Sequence, residues 1–235
     1  MPEAPGNPPA VLVAGGTGAL GGAVLGELLG AGHPVTATWL VDRERERVEA
    51  ELGGHDGLAL VQADLMEPDG AEAAVAATAG LGAVVNLVGG FAAGPLVHET
   101  DPEEFERMLR LNLRPGFLLA RAAMPRLLER GGGAYVGVSA RPALKPFAGA
   151  AAYVTAKAAV LAFVQALDAD YGKQAIRANA ILPSVIDTAA NRAATPDADF
   201  SKWVQPEEIA RVIRFLVSDD ASVTSGAAIP VYGRA

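Results

Sequence analysis

The sequence contains no cysteine. Disulfides, thiolate nucleophiles and thiolate metal sites are therefore excluded. Aromatic residues make up only 6%, and no aromatic platform for stacking bases is visible. Basic residues are in the minority, 19 Lys and Arg against 27 Asp and Glu, for a formal net charge of −8. No basic stripe that could track a nucleic-acid backbone is present. No unbroken apolar run reaches the roughly 18 residues that span a bilayer. No basic–apolar–small signal pattern opens the sequence. These absences predict a cytoplasmic protein with neither a nucleic-acid nor a membrane partner. His33, His55 and His98 are scattered without H-x-x-x-H spacing, so no metal site is expected.

What is present suits a packed α/β domain. Hydrophobic residues make up 51% of 235, with 27 glycines, enough for one large core. Residues 1–9 are Pro-rich and lack apolar periodicity, which predicts a flexible N-terminal tail before a domain spanning 10–235. Within that domain, β-type runs at 10–14, 35–39, 58–62, 83–88, 134–138, 176–182 and 227–231 alternate with helical stretches. The longest of these are two helices at 102–111 and 113–130, and one at 151–171. Such alternation predicts a single Rossmann-type, doubly wound parallel sheet of about seven strands with helices on both faces. The alternating charges at 42–47 read as a solvated helix face. The polar, small-residue stretch 188–203 follows a strand and is a candidate substrate lid.

The first strand runs into Ala14-Gly15-Gly16-Thr17-Gly18-Ala19-Leu20-Gly21. Glycines 16, 18 and 21 fit G-x-G-x-x-G, and 15, 18 and 21 fit G-x-x-G-x-x-G. Between a strand and a helix, this spacing lets backbone approach a pyrophosphate that sits on the helix N-terminus. The loop therefore predicts a dinucleotide site formed by Gly15, Thr17, Gly18, Ala19, Leu20 and Gly21. An acidic residue at the end of the second strand would bind the ribose hydroxyls of NAD. Trp39 stands there instead. Arg43 follows shortly after and either reaches a 2′-phosphate or lies on the charged helix surface. Either NADP or NAD remains open, with a lean to NADP. Asp64 ends the third strand, where it can cap the adenine edge. Asn86 and Gly89 end the fourth, beside the expected cofactor.

Tyr153 and Lys157 share one face of a long Ala-rich helix, because residues four apart lie on the same side. An ammonium beside a phenol stabilises the phenolate and lowers its pKa. Such a pair can carry a proton while hydride moves to or from a nicotinamide.

Taken in order, the glycine loop, Asp64-Leu65, Asn86-Leu-Val-Gly89-Gly90, Asn112, Tyr153-x-x-x-Lys157 and Pro183 with Thr188 resemble the short-chain dehydrogenase/reductase family. The likeness runs from about residue 10 to the end. It implies an NAD(P)-dependent oxidoreductase acting on a small carbonyl or conjugated substrate, with Tyr153 as general acid. It also implies that Lys157 binds the nicotinamide ribose and that Asn112, at a helix break, holds a water for proton relay. Leu65 and Pro183 would then border the cofactor, and Thr188 would approach the carboxamide. A homodimer or homotetramer joined through helices 113–130 and 151–171 is implied as well.

Three positions depart from the family pattern. Ala140 occupies the place of a catalytic serine, with Ser139 one residue earlier. On a regular strand that step turns the hydroxyl to the opposite face, unless a bulge restores it. Ala14 replaces the usual Thr before the first glycine, and Ser184 replaces the Gly after Pro183. The chain is also similar to the dihydropteridine reductase branch in Gly89-Gly90-Phe91-Ala92-Ala93-Gly94, in 182–192 and in 196–203. That likeness implies, as an alternative, reduction of a quinonoid pterin, whose conjugated ring has less need of a polarising serine. A reading of another class is a non-catalytic dinucleotide-binding sensor on the same fold.

Overall fold

The computed structural model describes residues 8–234. Most of the expected tail, residues 1–7, lies outside the described residues. Pro8 and Pro9 are half-buried, and His33 Nδ1, as its N–H tautomer, donates to the Pro9 carbonyl at 2.9 Å.

Seven strands form one parallel sheet: β1 Ala10–Ala14, β2 Val35–Trp39, β3 Leu58–Gln62, β4 Leu81–Asn86, β5 Gly133–Val138, β6 Ile176–Pro183 and β7 Ala228–Val231. Their spatial order is β3-β2-β1-β4-β5-β6-β7. Strand order therefore reverses between β1 and β4, and parallel sheets open a ligand crevice at the carboxyl ends beside such a reversal. Strand β1 is all Val, Ala and Leu, and β4 and β5 interleave Val, Ala and Leu with Gly and one Asn or Tyr, because helices cover both of their faces.

The connecting helices are α1 Gly21–Gly30, α2 Asp42–Leu52, α3 Pro68–Ala77, α4 Pro102–Arg130, α5 Ala151–Tyr171, α6 Ala189–Ala194 and α7 Pro206–Val217. On one face, α3, α4 and α5 pack through Ala71, Leu119, Ala123, Leu127 and Val164. On the other, α1 and α7 pack through Val24, Leu25, Leu28, Ile209 and Ile213. Each fully buried Leu or Ile contributes about 1.5–3 kcal/mol relative to exposure. By length and mean hydropathy Ala151–Gln174 could cross a membrane. Here its Ala152, Ala156, Val160 and Val164 face α4 and the sheet, so its apolarity serves the core.

Two expectations are corrected. The helices placed at 102–111 and 113–130 are one helix, α4, with Pro115 and Pro125 inside it. Pro115 removes one backbone donor, but Met108, Asn112, Pro115, Leu119, Ala123 and Leu127 form one continuous buried stripe. Packing along that stripe outweighs the single lost bond. Strand β4 spans Leu81–Asn86 rather than 83–88, because its pairing with β1 ends at Ala14 opposite Asn86. There the Asn86 Oδ1 accepts the Val88 N–H at 3.1 Å and turns the chain away.

Two glycines separate backbone strain from helix propensity. Gly131 ends α4 at φ +85°, with nothing near a would-be Cβ. Gly26, inside α1, also faces open space but has helical geometry. Gly131→Ala should lower unfolding free energy by about 1–2 kcal/mol. Gly26→Ala should raise it by roughly 0.5–1 kcal/mol. Urea denaturation of both variants measures the difference.

Candidate active site

The glycine loop is built by close packing. Gly15 sits at φ +71°, and its N–H donates to Thr38 Oγ1 on β2 at 2.9 Å. A Cβ at Gly21 would collide with the Gly16 carbonyl, and one at Gly16 would lie 2.8 Å from Ala37 Cβ. Only glycine lets α1 begin this near the sheet. The first turn of α1 has neither a side-chain cap nor an acidic residue. Its free N–H groups and helix dipole therefore favour an anion. These features fit the pyrophosphate of a dinucleotide.

The loop is anchored from outside by α2. Arg47 donates to the Thr17 carbonyl at 2.6 Å and the Gly18 carbonyl at 3.2 Å. Thr17 is buried, and its hydroxyl donates to Glu44 at 3.4 Å. Sequence reasoning missed both Arg47 and Thr38. Thr38 carried a signal, a hydroxyl in an apolar strand. Arg47 was masked by the charge run around it. Arg43 lies exposed at the start of α2 and does not line the crevice. The residue over the Trp39 ring is Arg45, its guanidinium 5.2 Å from the ring centre, with Glu49 at 2.6 Å as its ion-pair partner.

A cavity of about 950 Å³ joins the glycine loop to Gly89, Ser139, Ala140, Tyr153, Lys157, Pro183 and Thr188. The expected residues Gly15, Gly18, Ala19, Leu20 and Gly21 all line it. Asp64, Leu65, Asn86 and Asn112 lie outside its wall. Asp64 Oδ1 caps the Met66 N–H at 2.9 Å, and Leu65 is buried in the core. A second cleft, about 970 Å³, opens at the opposite strand ends beside Arg130 and Asp168, away from all of these residues.

Gly89 is the meeting point behind the cavity. A Cβ there would stand 2.7 Å from Asn112 Oδ1 and 2.9 Å from Lys157 Nζ. The Asn112 side chain accepts from the Gly90 N–H at 3.1 Å and donates to the Met108 carbonyl at 2.9 Å. Asn112 therefore ties α4 to the β4 loop from within a continuous helix, not at a helix break. Lys157 Nζ donates to the Val138 carbonyl at 3.0 Å. Burial pulls its pKa down to about 8. Thr188 caps α6, its Oγ1 accepting the Asn191 N–H at 3.2 Å.

Tyr153 packs edge-on to Phe91, with ring centres 4.9 Å apart. Burial pushes its pKa up to about 12. The sequence reading expected the ammonium to lower it. Lys157 Nζ stands 6.0 Å from the tyrosine ring centre with a proton directed at Val138, and the loss of hydration prevails. The phenol is thus held protonated.

Ser139 is also corrected. Its hydroxyl is buried and donates to the Lys157 carbonyl at 2.7 Å. The β5–β6 register runs without a bulge, and the Ser139 N–H extends the ladder to the Ile181 carbonyl at 2.9 Å. Regular alternation therefore spends the Ser139 proton on α5 and leaves Ala140, without a hydroxyl, at the next position of the cavity wall.

The lysine can be tested apart from catalysis. Below pH 8 both folded and unfolded chains hold its proton, and the folded chain carries the whole desolvation cost. Between pH 8 and 10 only the unfolded chain holds that proton, so wild-type stability gains on a neutral variant as pH rises. Lys157→Met should be more stable than wild type by on the order of 1–2 kcal/mol at pH 7, after loss of the Val138 hydrogen bond. Denaturant titrations from pH 7 to 10 should show that gap closing, and a constant gap would contradict the burial account.

A family model described as enoyl-(acyl carrier protein) reductase matches residues 17–233. The 2-(R)-hydroxypropyl-CoM dehydrogenase of Xanthobacter autotrophicus is 30% identical, over 94% of this chain and 96% of its own. D-threitol dehydrogenase of Mycolicibacterium smegmatis is 31% identical, over 94% and 90% respectively. A solved short-chain type dehydrogenase/reductase from Mycobacterium ulcerans superposes with a TM-score of 0.90 at 27% identity, covering 96% of this chain and 89% of that one. With its seven parallel strands, glycine loop and shared crevice, the chain belongs to the short-chain dehydrogenase/reductase family of NAD(P)-dependent oxidoreductases.

Proposed function

We propose that the chain reduces a small carbonyl compound with NADPH, using Tyr153 as the proton donor. The observation that supports this most is one cavity wall carrying both the Gly15–Gly21 loop and the Tyr153–Lys157 pair. When bound, the reduced nicotinamide supplies a hydride. Gly15, Gly18 and the first turn of α1 hold the pyrophosphate. Lys157, buried beside Gly89, holds the ribose. As the carbonyl carbon gains the hydride, Tyr153 gives its proton to the oxygen, and an alcohol leaves. Burial keeps the Tyr153 phenol protonated at neutral pH, at the cost of making it a weaker acid. Pro183 and Thr188 line the cavity where they would border a nicotinamide, and α6 with Trp203 would cover a substrate there. The lean to NADP rests on Trp39 in place of a carboxylate.

A second reading follows from Ala140. With Ser139 turned to α5, no serine hydroxyl is aimed at the substrate from this strand. A ketone developing alkoxide charge loses a stabilising donor. A conjugated acceptor of the quinonoid pterin type loses less.

The outer faces of α4 and α5 expose Phe117, which packs edge-on to Phe163 with centres 6.2 Å apart. This face is proposed to pair with a second copy of the chain. Phe117→Asp should halve the mass seen in sedimentation, and an unchanged mass would place the contact elsewhere.

Fluorescence titration with NADPH and NADH tests the main reading. Tight NADPH and weak NADH binding is expected, and failure to bind either would overturn the dinucleotide site. Tyr153→Phe should lose about 10²–10⁴-fold in turnover while keeping cofactor affinity. Undiminished turnover would remove Tyr153 from the chemistry.

A further inference from the structure

The charge on the cavity wall runs against the charge of the protein. The chain has a net charge of −8. The charged residues lining the cavity are nevertheless Arg141, Lys145 and Lys157, and no Asp or Glu joins them. Lys157 is accounted for by its bond to Val138 and its place behind Gly89. Arg141 and Lys145 are not needed by anything described so far.

Their positions are fixed by the backbone. Directly after Ala140, the chain makes a 3-10 turn, Arg141–Ala143. The Lys145 N–H donates to the Arg141 carbonyl at 3.0 Å, and the Leu144 N–H donates to the same oxygen at 3.0 Å. A turn closed in this way brings residues four apart to one side. Both residues line the cavity from the segment that joins β5 to the Tyr153 helix. Among the described residues neither has a carboxylate partner. Arg141 is half-buried, its guanidinium 5.1 Å from the ring centre of Tyr232. Resting on an aromatic face orients the guanidinium while leaving its N–H groups unspent.

The rest of the lining mixes apolar Phe91, Phe147, Val185 and Trp203 with neutral polar Ser184, Asn191 and Thr195. None of these carries a charge that would compete with an anion for the two cations. We propose that the substrate is a carbonyl compound with an apolar body and an anionic group, a carboxylate, sulfonate or phosphate, read by Arg141 and Lys145. The proposal rests on the carbonyl-reductase reading for its chemistry. The anion subsite itself is a matter of binding and can be tested without turnover.

The probes are 4-nitrobenzoate, 4-nitrobenzenesulfonate and 4-nitrophenyl phosphate, with 4-nitrobenzyl alcohol as the neutral reference. Quenching of tryptophan fluorescence, confirmed by calorimetry, gives each dissociation constant, with and without NADPH. At least one anion should bind about tenfold or more tightly than the alcohol, since charge-assisted hydrogen bonds are at stake. The ranking of the three anions identifies the oxyanion preferred. Raising the salt concentration should narrow the advantage. In the Arg141→Gln and Lys145→Gln double variant the advantage should vanish, while affinity for the alcohol and for NADPH stays unchanged. Equal binding of anions and alcohol by wild type, or an advantage that survives the double substitution, would overturn the subsite. So would no binding of any probe. Loss of NADPH binding in wild type would instead strike the reductase reading, so the two failures are distinguishable.

Discussion

The inner wall of the crevice is organised around the bare backbone at position 89. The β4 loop, α4 and α5 converge there, and a Cβ would crowd Asn112 Oδ1 and Lys157 Nζ, which would have to shift. Each helix spends polar atoms on the approach. Asn112 takes the Gly90 N–H, Lys157 gives a proton to Val138, and Ser139 returns one to the Lys157 carbonyl. The result is a small polar knot within an apolar interior, in which every described buried side-chain polar atom has a partner. Such networks are specific because a single unpaired member is costly. They also fix where the Tyr153 helix stands relative to the glycine loop.

That knot carries the principal electrostatic tension of the fold. An ammonium in a nearly dry site is disfavoured, which is why burial draws Lys157 down toward neutrality. Burial acts on Tyr153 in the opposite sense and keeps its proton on. Both shifts come from one cause and favour neutral forms. The protein sacrifices stability at Lys157 to keep a proton-holding phenol beside a titratable amine. Titratable groups displaced by their surroundings gather at reaction sites for this reason.

The topology was legible because its signals are periodic and local. Alternating apolar runs and helices fixed seven strands, and the glycine spacing fixed the β1–α1 turn. The α4 boundary was not legible. A proline within an apolar stripe reads as a break, and only the neighbours that bury Met108, Pro115 and Leu119 decide otherwise. The site was legible in its residue types and less so in their directions. Ser139 was near enough in sequence to stand in for the residue at 140. Strand register alone settles that its hydroxyl meets α5. Arg43 and Arg47 are alike in sequence and share a helix face, yet Arg43 stands exposed at the start of α2, and Arg47, one turn further along, meets the glycine loop. The sign of the Tyr153 shift depended on a distance and on a carbonyl at Val138, neither visible in Tyr-x-x-x-Lys.

The position of positive charge follows from this architecture. Parallel strands all end on one side of the sheet, and the loops there must supply both the cofactor contacts and the substrate contacts. The α1 N-terminus already presents partial positive charge to the crevice. Carboxylates lining the same cavity would oppose an anionic cofactor in a medium that screens poorly. Glu49 and Glu104 pair with arginines of their own helices outside the cavity, and Asp187, beside the cavity wall, is held by Arg192 and Gln205. With no carboxylate in the lining, cations on the β5–α5 turn meet no internal partner, and Arg141 settles on an aromatic face. A wall free of carboxylates suits the pyrophosphate of a dinucleotide, and it leaves the cations of the β5–α5 turn without an internal counter-charge.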